Sequence, residues 1–359
     1  MKPINSGEAP FTNAWDTRPS SARPSLFRCP ACRLALPESP SPGSCASCGH
    51  RWPLIGGEID DFLGDHCSSI GKLLGWPDAF VESVGSLLEA GASGLGLDDP
   101  GRESLESRGL ARGGASAGDP MVLTRLGHNI RYQMREELWQ SGDEEFGSFL
   151  DQAGVGPDST ILDVGCGAGQ TMRLMVELMA DQSPAVLVGI DGDAEGLALG
   201  RLIADRSGIP ITFARADAHD LPVPDASFSM VVCRVALNYM HQARALAEMA
   251  RVVKPGGFLY LRVERVHYDL RLIVRSKGIR QGLCRARDLG IGLALAATGS
   301  QPTPGRGARC GRSFATRRRM GRVLNGLGLE IVRSEGSQRC PTLFGASTQT
   351  TLLARKGLP

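Results

Sequence analysis

The chain lacks an excess of either charge: its 359 residues carry 40 Lys and Arg against 38 Asp and Glu, a formal net charge of +2, so no global field selects a polyanionic or polycationic partner. It also lacks long apolar runs. The longest near the C-terminus, residues 289–297, is too short to span a bilayer. Residues 1–24 have no apolar core of signal-peptide length, and their prolines and serines read as a disordered lead-in. These absences predict a cytoplasmic protein without a transmembrane segment. Aromatic residues are scarce as well, at 5 % of the chain. The one strongly basic stretch contains only Tyr268 and Phe314, which weakens a stacking platform for single-stranded nucleic acid.

Glycine, in contrast, is abundant and well placed. The run 160–169, Thr-Ile-Leu-Asp-Val-Gly-Cys-Gly-Ala-Gly, reads as a buried strand that stops in a glycine turn and opens a helix. A dinucleotide fingerprint would place its third glycine where Gln170 stands, and this loop is preceded instead by an acid, Asp163. A second apolar run, 185–190, ends in Asp191, putting a carboxylate at the carboxyl end of a strand, where parallel sheets present their ligands. A third, Ile211 to Ala214, leads to Asp217-Ala218-His219-Asp220. Strand four follows at 227–233, a helix at about 242–253, and a Lys-Pro-Gly-Gly turn into strand five, 258–263.

These features, in this order, resemble motif I and the succeeding motifs of the class I S-adenosylmethionine-dependent methyltransferases. The resemblance covers roughly 159–264. It implies an α/β fold with a Rossmann-like seven-stranded sheet whose last strand is antiparallel, strands six and seven falling at 330–333 and 348–354. It implies S-adenosylmethionine as cofactor, held by Asp163, Gly165, Cys166, Gly167, Gly169, Asp191, Gly192, Asp217, Ala218 and Cys233. Asp191 would take the ribose hydroxyls and Asp217 the adenine amino group.

Ten cysteines include Cys29-x-x-Cys32 and Cys45-x-x-Cys48, two knuckles twelve residues apart. Each directs two thiolates at one ion, the sulfur set of structural zinc (Zn2+). A disulfide pairing fits a short module too, but the other six cysteines are scattered and no secretion signal precedes them. With the alternating apolar residues up to Leu63, the segment resembles the zinc-ribbon activator of tRNA and release-factor methyltransferases, and the zinc-binding N-terminus of rRNA guanine methyltransferases. That resemblance implies that the ribbon offers a surface to a protein partner. The domain reading is a lead-in over 1–25, a zinc ribbon over 26–64, a helical cap or linker over 65–150, and the methyltransferase domain over 151–359. Substituting the ribbon cysteines is expected to leave the cofactor cleft intact.

Within the cap, residues 70–74, 80–88 and 121–139 have helical spacing, whereas 99–119 is rich in Gly, Ser and charge and reads as a flexible loop. His128, Arg131 and Tyr132 lie on the helix placed to cover the cofactor. The catalytic domain carries a basic helical insertion at about 265–322. Helices are expected there at 269–276, 287–297 and 313–326, with a Pro/Gly loop at 301–311. Anionic substrates, RNA phosphates or an acidic membrane face would all suit it. His241 and His267 follow strand ends and are candidate general bases. Tyr132, Asn238 and Tyr239 are candidates to line the acceptor site. No Asn-Pro-Pro-aromatic motif follows Cys233, which counts against methylation of an exocyclic amine in nucleic acid. The preferred expectation is a methyltransferase acting at oxygen or nitrogen of a small molecule or biosynthetic intermediate. An rRNA or tRNA base methyltransferase is the alternative, and a cofactor-binding regulatory scaffold the third.

Overall fold

The computed structural model describes residues 26–36, 43–55, 59–63, 73, 75–94, 96–113, 119–184, 186–276, 278–298, 316–337, 342–343 and 346–358. The lead-in, the expected helix at 70–74 apart from Leu73, and the loop at 301–311 lie outside these residues.

The apolar runs found in the sequence form one sheet. Its parallel centre is β5 (Thr160–Val164), β6 (Val186–Asp191), β7 (Ile211–Arg215), β8 (Phe228–Arg234) and β9 (Val253–Glu264). β10 (Leu329–Gly336) and β13 (Gln349–Lys356) complete it. β13 inserts antiparallel between β9 and β10, as the resemblance implied. Two short strands, β11 (Thr342–Leu343) and β12 (Ala346–Ser347), form a separate ladder. The Lys-Pro-Gly-Gly segment belongs to β9 rather than to a turn before it. Gly257 makes this possible, because a Cβ there would stand 2.7 Å from the Ser229 carbonyl oxygen.

Strand residues alternate between two cores, as the period of two requires. Ile161, Leu187, Phe213 and Tyr260 belong to one, Leu162, Val188, Ala214 and Leu261 to the other. β5 lies where the strand order reverses, with β6 on one side and β8 on the other. In open parallel sheets ligands enter at the carboxyl ends of the strands at such a point.

The ribbon is continuous with this sheet. Its terminal hairpin, β1 (Leu54–Ile55) and β2 (Ile59–Asp61), is antiparallel. β2 then pairs in parallel with β7, Asp60 opposite Ala214 and Asp61 opposite Arg215, making nine strands in all. Phe27, Trp52 and Phe62 pack ring on ring behind it.

The cap is α1 (Asp78–Ser93), α2 (Asp99–Ser107), α3 (Arg125–Gln140) and α4 (Glu144–Gln152), with β3 (Ala111–Arg112) paired to β4 (Val122–Leu123). α2 corrects the expectation of a loop from residue 99 onward. Asp98 caps the helix by accepting from the Gly101 amide at 2.9 Å, Pro100 occupies the first turn, and Leu105 is fully buried. One anchored leucine outweighs the polar composition around it. Around the sheet run α5 (Gln170–Met179), α6 (Ala194–Arg206) and α7 (Gln242–Val252). The insertion forms α8 (Val266–Val274) and α9 (Ile279–Thr298), and α10 (Arg317–Gly326) precedes β10. All three expected helices are present, and the first two start earlier than the spacing suggested. Among the described residues, no helix is long and apolar enough to cross a membrane.

Candidate functional site

The glycine turn after β5 is held by its neighbours more than by itself. Gly165 has φ +78°, and a Cβ there would stand 2.2 Å from the Ala236 Cβ. At Gly167, φ +55°, a Cβ would stand 2.7 Å from the Gln133 Oε1. The loop amides are already engaged: Gly165 and Cys166 donate to the Ile190 carbonyl, Gly167 to Asp191 Oδ2 at 2.8 Å, and Ala168 to Gln133 Oε1 at 3.2 Å. The turn therefore supplies shape, with its donors spent on fixing it.

Above this turn opens a cavity of about 640 Å³. Of the residues named from sequence as cofactor-binding, Gly165, Cys166, Gly167, Asp191, Gly192, Asp217 and Ala218 line it. Asp163, Gly169 and Cys233 do not. Gly169 caps α5 with φ +76°. Cys233 is fully buried, and burial raises its thiol far above the usual range, which disfavours a nucleophilic thiolate. Asp163 is 2 % exposed beneath the turn. Burial pushes its carboxyl up to about 7, and its Oδ2 has no hydrogen-bond partner among the described residues.

Asp191 accepts from the Gly167 amide through Oδ2 and from the Asp193 amide through Oδ1, each at 2.8 Å. Burial raises its pKa, and the amides of Asp193, Gly167 and Gly192 oppose the rise. A carboxylate has about four acceptor positions, so these amides leave acceptor capacity for a ligand's hydroxyl group. Asp217 Oδ1 accepts from the His219 amide at 2.9 Å and pairs with its Nδ1 at 2.6 Å, and the histidine bond holds this acid below the usual carboxylate range. The His241 amide donates to His219 Nε2 at 2.9 Å. The network thus assigns the proton to Nδ1 and spends both ring nitrogens. A pair of cavity-lining acids, one at the tip of β6 and one beyond β7, suits a ribose and an amino-bearing base.

The rim facing β8 is built by α3. Asn129, Gln133, Glu136 and Gln140, spaced four, three and four apart, share one face of this helix and all line the cavity, together with Tyr132. Gln133 accepts from Ala168 and from Gln170 Nε2 at 2.9 Å. Asn129 donates to Asp193 at 2.9 and 3.0 Å. The sequence reading singled out His128, Arg131 and Tyr132 on this helix. Only Tyr132 reaches the cavity, and Arg131 instead pairs with Glu89. A polar stripe at helical spacing was the available signal.

Tyr239 lines the cavity, whereas Asn238, His241 and His267 do not. Asn238 is buried and braces β9, its Oδ1 accepting from the Glu264 amide at 3.1 Å. His241 caps α7, its Nδ1 accepting from the Arg244 amide. The sequence reading left unassigned His219, Glu136, Arg234, Met240 and, from the ribbon, Leu63, all of which line the cavity.

The four ribbon cysteines converge. Their Sγ atoms lie within 4.8 Å of one another, with Cys29 to Cys48 at 3.6 Å and Cys32 to Cys45 at 3.7 Å. A tetrahedron with arms of about 2.3 Å has edges of about 3.8 Å, so this sulfur set fits zinc. Arg33, directly after the first knuckle, holds Asp220 in a bidentate pair at 2.7 and 2.6 Å, and the Arg28 amide donates to the Pro222 carbonyl. Asp61 is fully buried against Arg215, whose Nε donates to the Gly192 carbonyl. The ribbon therefore grips both loops that carry the cavity acids and braces this wall of the cavity.

Comparison with known proteins agrees with this geometry. Residues 162–261 match a family model described as a methyltransferase domain. A ubiquinone/menaquinone biosynthesis C-methyltransferase from Ectopseudomonas mendocina is 32 % identical over 111 residues, 31 % of this chain and 43 % of that protein. A ubiquinone biosynthesis O-methyltransferase from Hahella chejuensis is 35 % identical over 114 residues, 31 % of this chain and 46 % of that protein. The chain spans about half the length of such relatives or less. Among solved structures, a complex between a Haloferax volcanii methyltransferase activator and a methyltransferase aligns at TM-score 0.44 and 17 % identity, covering 65 % of this chain and 95 % of the other. The loop, the acids and the match together give residues 162–261 the features of a class I methyltransferase domain.

Proposed function

We propose that the protein transfers a methyl group from S-adenosylmethionine to a small molecule or biosynthetic intermediate. The observation that carries this reading is a single cavity joining the glycine turn, Asp191 and Asp217 to an acceptor rim of Tyr132, Glu136, Tyr239 and Met240. When bound, the cofactor supplies a methyl group made electrophilic by its sulfonium. Asp191 holds the ribose through its remaining lone pairs, and Asp217, fixed by His219, faces the base. Catalysis is then mostly a matter of holding the acceptor in line.

Where the acceptor carries a proton, Glu136 is the group placed to receive it. Burial raises its carboxyl above the ordinary value, toward the range useful to a general base near neutral pH. It takes the role first assigned to His241 and His267, which stand away from the cavity. Oxygen and nitrogen remain the proposed acceptor atoms. The relatives named for C-methylation and O-methylation in quinone biosynthesis support a small organic acceptor and add carbon to the choice. The ribbon's cysteines hold a structural zinc in this reading.

Isothermal titration with S-adenosylhomocysteine tests the cofactor site directly. Asp191→Ala should weaken binding by about 1 to 3 kcal/mol, and equal affinity would remove the assignment. Glu136→Gln should lower kcat, and the ascending limb of its pH profile, while leaving cofactor affinity in place. Transfer of labelled methyl groups into cell extract, before and after ribonuclease, separates the acceptor classes. Loss of label on ribonuclease treatment would favour RNA, the alternative motivated by the basic insertion.

A further inference from the structure

The basic insertion is the conspicuous feature that methyl transfer leaves unexplained. α9 runs twenty residues, yet only Gly292 and Leu295 are buried. On the opposite face stand Ile279, Leu283, Ala286, Gly290 and Leu293, spaced four, three, four and three apart. They form one stripe about 21 Å long with no charge in it. It faces outward: Ile279 is 84 % exposed, Leu283 67 % and Leu293 51 %, and Val274 at the end of α8 is 77 % exposed. Soluble surfaces seldom expose apolar side chains in register over four turns.

Charge identifies what covers the stripe. Arg280 and Arg287 flank it and are exposed, and Arg271, Arg275 and Arg285 lie on the same pair of helices. The acids among the described residues of these helices are Asp269, which is buried, and Asp288. A second copy of the chain would bring like charges together along such a seam. Nucleic acid would satisfy the arginines and leave the leucines in water, and the pair offers Tyr268 as its sole aromatic among the described residues. An anionic lipid surface satisfies both, with acyl chains for the stripe and headgroup phosphates for its flanks.

We propose that α9 is an interfacial helix that seats the protein on an anionic bilayer and directs the acceptor rim toward it. α8 begins two residues after Glu264, whose amide donates to Asn238, the neighbour of the cavity-lining Tyr239, so the helix pair starts beside the acceptor rim. An amphipathic acceptor would then pass from the bilayer into the cavity, a consequence that rests on the methyltransferase reading. Docking itself does not.

The test is flotation of the full chain with vesicles of phosphatidylcholine, with and without phosphatidylglycerol. Binding should require the anionic lipid and fall with salt. The double variant Leu283→Glu, Leu293→Glu should lose roughly tenfold or more in vesicle partition, and Arg280→Glu with Arg287→Glu should lose a comparable factor. Both variants alter exposed positions, and unchanged S-adenosylhomocysteine titration confirms that they fold. Wild-type protein that stays unbound at low salt, or a double variant that floats like wild type, overturns the proposal. So does stripe-dependent dimerisation seen by light scattering, or RNA binding without vesicle binding. A protein that floats but takes up no cofactor would sink the methyltransferase reading and leave docking standing.

Discussion

The cavity wall on the ribbon side and the basic insertion are built by opposite means. On the side proposed to hold adenosine the ribbon contributes a buried carboxylate, Asp61 on Arg215, a bidentate pair between Arg33 and Asp220, and a lining side chain, Leu63. The insertion's α9 leaves most of its side chains in solvent and contributes no lining residue to the cavity. A wall that would meet the same nucleoside at every turnover gains from being fixed. A helix that would meet an outside surface gains from being lightly tied, since local opening costs least where few apolar contacts hold an element.

Breaking the braced wall should have the largest consequence. Converting Cys29 and Cys32 to Ser removes metal-binding free energy on the order of 10 kcal/mol from the ribbon. Because Leu63 and Asp61 follow on the same strand segment, affinity for S-adenosylhomocysteine should drop as well, by roughly tenfold, about 1.4 kcal/mol. Hydrogen exchange along β7 and calorimetry would measure the two effects, and an unaltered cofactor affinity would make the ribbon a mere neighbour. Next comes Asp163, buried beneath the glycine turn. Its folded pKa of about 7 lies above the ordinary 3.8, so the folded protein keeps a proton that the unfolded chain has released. Stability present below about pH 4 is therefore lost as pH rises to 7, on the order of 4 kcal/mol. Asp163→Asn should abolish that decline and raise Tm at pH 8, and parallel Tm profiles for the two proteins would refute it. Smaller still is Arg33→Ala. Its pair with Asp220 is half exposed, so the loss in stability should stay below about 1 kcal/mol, with cofactor affinity moving in the same direction. Least of all, Leu283→Glu on the exposed face of α9 should change stability by no more than about 0.5 kcal/mol in denaturant titration.

The central sheet was legible because buried parallel strands read as apolar runs and each acid stands at a strand end. The cysteine cluster was legible because its Cys-x-x-Cys spacing is local. What escaped were relations between distant segments. Nothing near Leu63 says that it will line the cavity, since that follows from β2 pairing with β7. Asn238 and His241 sit where lining residues belong, yet one braces β9 and the other caps α7. Gln133 and Glu136 carry no motif, and only the helix that presents them gives them meaning. α2 was missed for a different reason. Its Asp-Asp-Pro start was readable, but the glycines and serines after it weighed more than the single leucine that anchors it.

The parallel pairing of β2 with β7 reaches beyond ligand binding. Without the hairpin, β7 would be the outermost strand on that side, offering a row of unpaired amides and carbonyls to any other chain. On the zinc reading, the cysteine cluster thus stands guard over solubility. Metal starvation should then reveal itself first as aggregation through that bared border, before the remaining core unfolds.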